Sequence, residues 1–373
     1  MTARARVERA QFDAGGMFIA LAGVLSAFGV LMVFSTTAQQ QTDLYVYLFR
    51  QLMFLGAGLM VCFLVVHIPA VYIRRATVPF LALTVILLVA VLFSRQVKGA
   101  HRWLALPLVG TVQPGELAKL SVVLFTAWYA DRFRGGLACE FSRSAVLLGT
   151  VAVVCMLILM QPDIGIPFVI ATAVWVMLLF AGVRKQLLAG LVGVGIAVIG
   201  IAILFAPHRV KRMTAFMDPW RYQTGDGYQL VQSYLSLSYG HLTGRGIGNS
   251  QFKEYYLPEA HTDFIFAIIG EELGFIGTVT LVVLFALFFF LGARLAEQVH
   301  NNYAALVIYG LVLTIVLQAY VNFGVVTGLL PTKGLGLPFI SYGGSSLLTN
   351  LLAVGIIVGL WRQYRVDGGS RKP

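Results

Sequence analysis

The stretch FIFAIIGEELGFIGTVTLVVLFALFFFLG, residues 264–292, decides the class of this protein. It holds only two charges, Glu271 and Glu272, whereas a bilayer-spanning helix needs roughly 20 apolar residues. Outward from it lie nine more such runs, over about 15–36, 48–67, 76–94, 114–130, 143–160, 164–182, 187–206, 303–327 and 345–362. The 373-residue chain is 58% hydrophobic and 12% charged, about half the charged share of an ordinary soluble domain. Polar side chains are too few to cover soluble surfaces. That excludes a soluble enzyme, a disordered chain and a secreted disulfide scaffold. The expected fold is all-α, a polytopic membrane protein of about ten transmembrane helices. A single membrane domain is expected over 15–362, between tails at 1–14 and 363–373, with a long outer loop at about 207–263 between spans 7 and 8.

Three cysteines without CxxC or Cys/His spacing indicate neither a disulfide frame nor a zinc site. The apolar run after Ala14 is too long for a signal peptide and has no cleavage pattern, so it reads as a retained first span.

The net charge of +11 divides in two. Fifteen of the 27 basic residues, among them Arg4, Arg74, Arg132, Arg184, Arg294 and Arg362, fall in segments that alternate onto one face. The positive-inside bias assigns that face, with both termini, to the cytoplasm. The other twelve run against the rule and gather on the outer face. A loop of nearly 60 residues is functional or disordered. This one is rich in aromatic residues and glycine, so it is expected to be ordered.

Acids gather on the same outer face. Asp263 stands at the start of the eighth run, beside His261 and Glu259. A carboxylate there either caps the helix or serves as a general base kept ionised by the helix dipole. Glu271 and Glu272 lie on the order of 10 Å further along and point about 100° apart. Intramembrane acids are candidate functional groups, with a structural ion pair as the plain alternative. In the fourth run Pro114 opens the helix, and Glu116 and Lys119 share a face, neutralising each other or serving an outer site. Lys98, His101, Arg102 and Trp103 precede it. Trp103 suits a membrane belt, whereas Arg102 is better explained by an anion.

Three loops complete the outer face. Gln161-Pro162-Asp163 turns the chain between the fifth and sixth runs, Asp163 capping the next helix or lining a cavity. Residues 240–250 have a dinucleotide-like glycine spacing without the flanking strand and helix, leaving a loop that offers N–H groups and Arg245 to a phosphate. The irregular stretch 331–346, with Lys333 and Ser341, is tolerated beside a membrane only when buried in protein or lining a wet cavity. A carboxylate base among several cations suits a polyanionic, lipid-linked substrate.

Four strings resemble the SEDS family of bacterial cell-wall synthesis. They are PEAHTDFIFAIIGEELGFIG (258–277), TGLLPTKGLGLPFISYGGSS (327–346), QPDIG (161–165) and the stretch Arg212-Met213 to Asp218-Pro219-Trp220. The match keeps its spacing from about residue 15 to 362. Thr332-Lys333-Gly334 and the 258–274 run are more similar to the division branch than to the elongation branch.

The resemblance implies a ten-span peptidoglycan glycosyltransferase of the bacterial inner membrane, polymerising lipid II on the outer face at the septum. It implies Asp263 as the catalytic residue, taking the proton of the acceptor's 4-hydroxyl in a single inverting displacement. Lys98, Arg102, Lys119, Arg245 and Lys333 are the expected cations for the departing pyrophosphate. Glu116, Asp163, His261 and Ser341 are expected to bind substrate, with Glu259, Glu271 and Glu272 supporting. The one cofactor left open is a divalent cation, Mg or Mn, with no ligands assigned. Expected partners are lipid II, a class B penicillin-binding protein and other membrane proteins of the division complex, with no nucleic acid. Two positions depart from the family pattern: Gly115 replaces a usual Ser, and His241 a usual Gly. The competing readings are a lipid II flippase, a non-catalytic division scaffold and the elongation polymerase. The absence of inverted repeats, and polar residues on one face rather than at the midplane, argue against a flippase. A scaffold would not need acids inside apolar helices.

Overall fold

The computed structural model describes residues 3–37, 44–94, 101–106, 110–133, 141–204 and 207–365. These are mostly helical. Ten of the helices coincide with the ten apolar runs: α1 (Ala3–Thr37), α2 (Leu44–Val66), α3 (Ala70–Leu92), α4 (Pro114–Arg132), α5 (Phe141–Leu159), α6 (Gly165–Phe180), α7 (Lys185–Leu204), α11 (Ile265–Glu297), α12 (Asn302–Val326) and α13 (Gly344–Tyr364). Seven of them, α1, α2, α3, α5, α11, α12 and α13, are long and apolar enough to cross a membrane. Helix α4 carries Glu116, Lys119, Asp131 and Arg132, and α6 has only 16 residues. The outward faces carry large exposed side chains such as Phe63, Ile86, Phe275 and Phe290, which suit lipid rather than water.

Three expectations gain detail. Helix α1 already begins at Ala3, so the segment expected as a tail is helical from that residue. The all-α expectation gains an antiparallel hairpin, β1 (Leu104–Leu106) and β2 (Gly110–Val112), with Leu104 opposite Val112. The long loop is built from helices, α8 (Pro207–Met217), α9 (Tyr228–Tyr239) and α10 (Phe252–Tyr255).

Small residues set the closest approaches. On α13, Gly355 and Gly359 meet the α2 backbone: a Cβ on Gly355 would lie 2.9 Å from the Cys62 carbonyl oxygen, and one on Gly359 3.3 Å from that of Val65. This is the small-xxx-small packing of membrane helices. Likewise Gly29 of α1 lets Ile340 come close, a Cβ there falling 2.7 Å from its Cα. Helix α12 lies between two buried clusters, one shared with α1, α11 and α13 and the other with α3 to α6, so its faces are mostly buried.

Helix α11 is broken at Gly274 (φ 68°, ψ −166°), a conformation essentially reserved for glycine. The loop 241–246 repairs the break. His241 and Leu242 carbonyls accept from the N–H groups of Phe275 (2.9 Å) and Ile276 (3.1 Å), while Arg245 and Gly246 N–H groups donate to the carbonyls of Glu271 (3.0 Å) and Glu272 (2.9 Å). Before the break Ile265–Gly270 is wholly buried; after it the exposed apolar face begins with Phe275 and Ile276.

Candidate active site

The segment leading into α11 is folded on itself. Glu259 adopts φ 59°, its carbonyl accepts from the N–H groups of Thr262 (3.1 Å) and Phe264 (3.3 Å), and Thr262 Oγ1 donates to its Oε2 (3.0 Å). The helix N-cap falls on Phe264, which has no side-chain cap, one residue beyond Asp263. Three consecutive carbonyls are instead fixed from outside. His261 O accepts from Tyr342 N (2.9 Å), Thr262 O from Ser341 Oγ (2.6 Å) and Asp263 O from Asn322 Nδ2 (2.8 Å). Ser341 Oγ also accepts from Leu337 N (2.7 Å), so this serine staples the segment to the 331–343 loop.

Asp263 and Arg102 converge on Gly334. A Cβ there would lie 3.2 Å from Asp263 Oδ2 and 3.5 Å from Arg102 Nη1, and Gly334 itself is exposed. Arg102 is held by the QPD turn: Nε donates to Gln161 O (3.0 Å), Nη2 to Pro162 O, and Nη1 lies 4.0 Å from Asp163 Oδ2. Asp163 accepts from the N–H groups of Gly165 (2.9 Å) and Ile166 (3.3 Å) at Oδ1, while Oδ2 has no hydrogen-bond partner among the described residues. It therefore caps α6 and faces the cationic cluster at once. Burial pushes its carboxyl above the usual range, opposed by Arg102 and the two N–H groups. Lys333 Nζ sits 4.9 Å from the Phe168 ring centroid. Burial pushes its ammonium down, and Asp163 opposes the shift. Asp263, Arg102, Asp163 and Lys333 thus share one neighbourhood, with an acid able to take a proton and two cations able to meet a phosphate.

Other expected residues serve elsewhere. Lys119 pairs with Glu116 (2.9 Å) and donates to Gln318 Oε1, and Gln318 Nε2 donates to Gly336 O (2.8 Å). The Glu116–Lys119 pair is buried and braces the 331–343 loop, so Lys119 is already engaged. Arg245 lies over the Tyr239 ring (4.5 Å) and donates to Tyr239 O, and its loop's N–H groups are used on the α11 break; the phosphate-cradle reading is corrected. His241 has φ 48°, which accounts physically for the glycine expected there. Glu271 and Glu272 are fully buried. Glu271 accepts from Ser236 Oγ (3.2 Å), Ser250 Oγ (2.5 Å) and Gln251 N (2.8 Å); Glu272 pairs with Lys253 (2.8 Å) and accepts from Ser35 Oγ (2.6 Å). Lys98 lies outside the described residues.

Several site residues escaped sequence reasoning. Asn322 and Gln318 carry the signal that was available, two amides four apart inside an apolar run, which must find partners. Tyr47, His261 and Tyr342 form a ring cluster with centroids 5.1–5.8 Å apart, and Arg50 hydrogen-bonds the Tyr342 phenol. Nothing local marks Tyr47 or Arg50 at the end of an apolar run.

With this geometry in view, comparison with known proteins is decisive. The cell cycle protein model of FtsW, RodA and SpoVE matches residues 16–365. The chain belongs to this family. Family relatives named probable peptidoglycan glycosyltransferase FtsW include one from Marinobacter nauticus, 38% identical over 92% of this chain and 88% of its own. Another, from Coxiella burnetii, is 39% identical over 90% of this chain and 92% of its own. Among solved family structures, one from a study of how a peptidoglycan synthase complex coordinates polymerization and crosslinking superposes with TM-score 0.77, 28% identity and 93% and 97% coverage of this and that chain. The rod shape determining protein RodA of Thermus thermophilus gives TM-score 0.70, 26% identity and 93% and 96% coverage.

Proposed function

We propose that this protein is a peptidoglycan glycosyltransferase of the division branch, polymerising lipid II on the outer face of the bacterial inner membrane. The observation that carries the reading is the convergence of Asp263 Oδ2 and Arg102 Nη1 on the exposed Gly334. The names of the family relatives support the activity and the division branch. Ten spans, a single membrane domain over 15–362, both termini in the cytoplasm and a place at the septum belong to the same proposal. Relatedness to a chain studied in a peptidoglycan synthase complex supports a class B penicillin-binding protein as partner.

In the proposed reaction the acceptor's 4-hydroxyl gives its proton to the Asp263 carboxylate as its oxygen attacks C1 of the donor sugar. The new glycosidic bond forms as the bond from C1 to the pyrophosphate breaks, and undecaprenyl pyrophosphate leaves with the electron pair. Arg102 and Lys333 face that developing charge, and fixed donors aimed at such charge are worth roughly 10²–10³ in rate. Asp163 holds Arg102 in place. His261, between Tyr47 and Tyr342, offers a ring edge to a sugar. Among the described residues no three His, Cys, Asp or Glu side chains group to hold a metal. These side chains therefore form no protein-only divalent site among the described residues.

The test is polymerisation of labelled lipid II by the purified protein with its partner. Asp263→Ala and Asp263→Asn are expected to abolish glycan strands, and wild-type rates in either would overturn the assignment. Movement of lipid II across vesicles without polymerisation in any partner context would favour a flippase.

A further inference from the structure

The buried face of α12 carries two amides one turn apart, Gln318 and Asn322, each 1% exposed. Asn322 Nδ2 donates to two carbonyls that belong to different halves of the site, Asp263 O (2.8 Å) and Leu335 O (2.7 Å). Leu335 directly follows Gly334, the residue on which Asp263 and Arg102 converge, and Lys333 precedes it. Gln318, one turn along, holds the same loop through Gly336 O and ties it to the Glu116–Lys119 pair.

The asparagine makes this bridge at a cost. Its Oδ1 is buried with no hydrogen-bond partner among the described residues. That unpaired carbonyl carries a desolvation cost, set against the two main-chain carbonyls that the amide satisfies and that a valine or leucine would leave without it. What the amide contributes is a two-way bridge between the backbone of the proposed base and the loop of the opposing cation.

We infer that Asn322 is a positioning residue for the transfer, setting the separation between the Asp263 carboxylate and the Lys333–Gly334 loop. The inference rests on Asp263 being the base. Asn322 bonds main-chain carbonyls, so its removal moves the base relative to its surroundings without deleting a group that touches substrate. A misplacement of about 1 Å costs up to roughly 100-fold in rate. The effect therefore falls on kcat and spares KM.

The experiment compares wild type, Asn322→Leu, Asn322→Ser and Asp263→Ala as full chains with the class B penicillin-binding protein, on labelled lipid II. Asn322→Leu removes both donors while keeping the number and branching of side-chain heavy atoms, and Asn322→Ser leaves a single shorter donor. The expected result is a kcat about ten- to hundredfold down in Asn322→Leu at unchanged KM, with Asn322→Ser between it and wild type. A wild-type kcat in Asn322→Leu overturns the inference. So does a kcat loss matched by rising KM and falling melting temperature, which a merely structural residue would give. Should Asn322→Leu fail to fold, Asn322→Ser decides alone: reduced kcat at wild-type KM and melting temperature supports the inference, and wild-type kcat overturns it. Wild-type polymerisation by Asp263→Ala would remove the base and this inference together; an inactive Asp263→Ala beside a fully active Asn322→Leu removes this inference only.

Discussion

Gly334 is where the candidate site is tightest. A methyl group there would sit 3.2 Å from Asp263 Oδ2 and 3.5 Å from Arg102 Nη1. Gly334→Ala is expected to fold normally and to lower the polymerisation rate by roughly tenfold, as displacement of catalytic groups by a fraction of an ångström does. Steady-state kinetics on labelled lipid II checks it. Lys333 shows the opposite balance. Burial pushes its folded-state pKa below the ordinary lysine value, so the unfolded chain holds the proton more tightly. Its charge therefore destabilises the fold at neutral pH, and the penalty fades as pH rises through the folded pKa towards 10.5. Lys333→Met is expected to raise the melting temperature at pH 7, with the gain shrinking towards pH 10, while polymerisation falls by about 10²-fold. Melting curves at the two pH values, beside a rate assay, check both halves.

Elements explain what single residues leave open. The acids Glu271 and Glu272 stood out in the apolar run, yet sequence offers no means of seeing that their partners come from α1, α9, α10 and the two residues before α10. Such partners are remote in the chain, and hydrophobic periodicity carries no record of them. The buried Lys253–Glu272 pair clasps the long loop to α11, with Ser35 of α1 on the same carboxylate. Removing one partner of a buried pair costs about 3–5 kcal/mol, whereas apolar replacement of both is often close to neutral. Lys253→Met is thus expected to lower thermal stability sharply, and Lys253→Met with Glu272→Leu to recover most of it. A double-mutant melting cycle measures the coupling, and additive losses would mean that the pair is not the clasp. The arginine of the glycine loop follows the same logic. Its main chain repairs α11, which leaves its side chain against Tyr239 rather than beside a phosphate.

At the scale of the whole molecule, the ten helices were legible because each is a run of apolar residues long enough to see, and apart from the early starts of α1 and α3 and the later end of α11 their bounds fall within a few residues of those runs. Asp263, Arg102, Asp163 and Lys333 were legible because charge beside a membrane needs a reason. The hairpin, the helices of the long loop and the Asn322 bridge were not, since each depends on neighbours brought together only by folding. Orientation follows from charge placement and is directly testable. Gln223→Cys, on an exposed stretch after α8, is expected to react with a membrane-impermeant maleimide in intact spheroplasts. Glu297→Cys, at the far end of α11, is expected to react only after permeabilisation. The reverse pattern would invert the bundle and move Asp263 to the cytoplasm.

The break at Gly274 also acts as a height gauge. Nine helical residues, Ile265–Leu273, separate it from Phe264, a rise of about 14 Å at 1.5 Å per residue. After the break α11 has one buried and one exposed apolar face; before it the helix is a protein-enclosed post with Asp263 at its tip. In the proposed reaction the substrate is tethered by a lipid, and the residue count of that post sets how far the carboxylate stands from the break. Inserting one residue in the post would lift the tip by about 1.5 Å and swing it through about 100°, which makes its length as much a part of the site as any side chain.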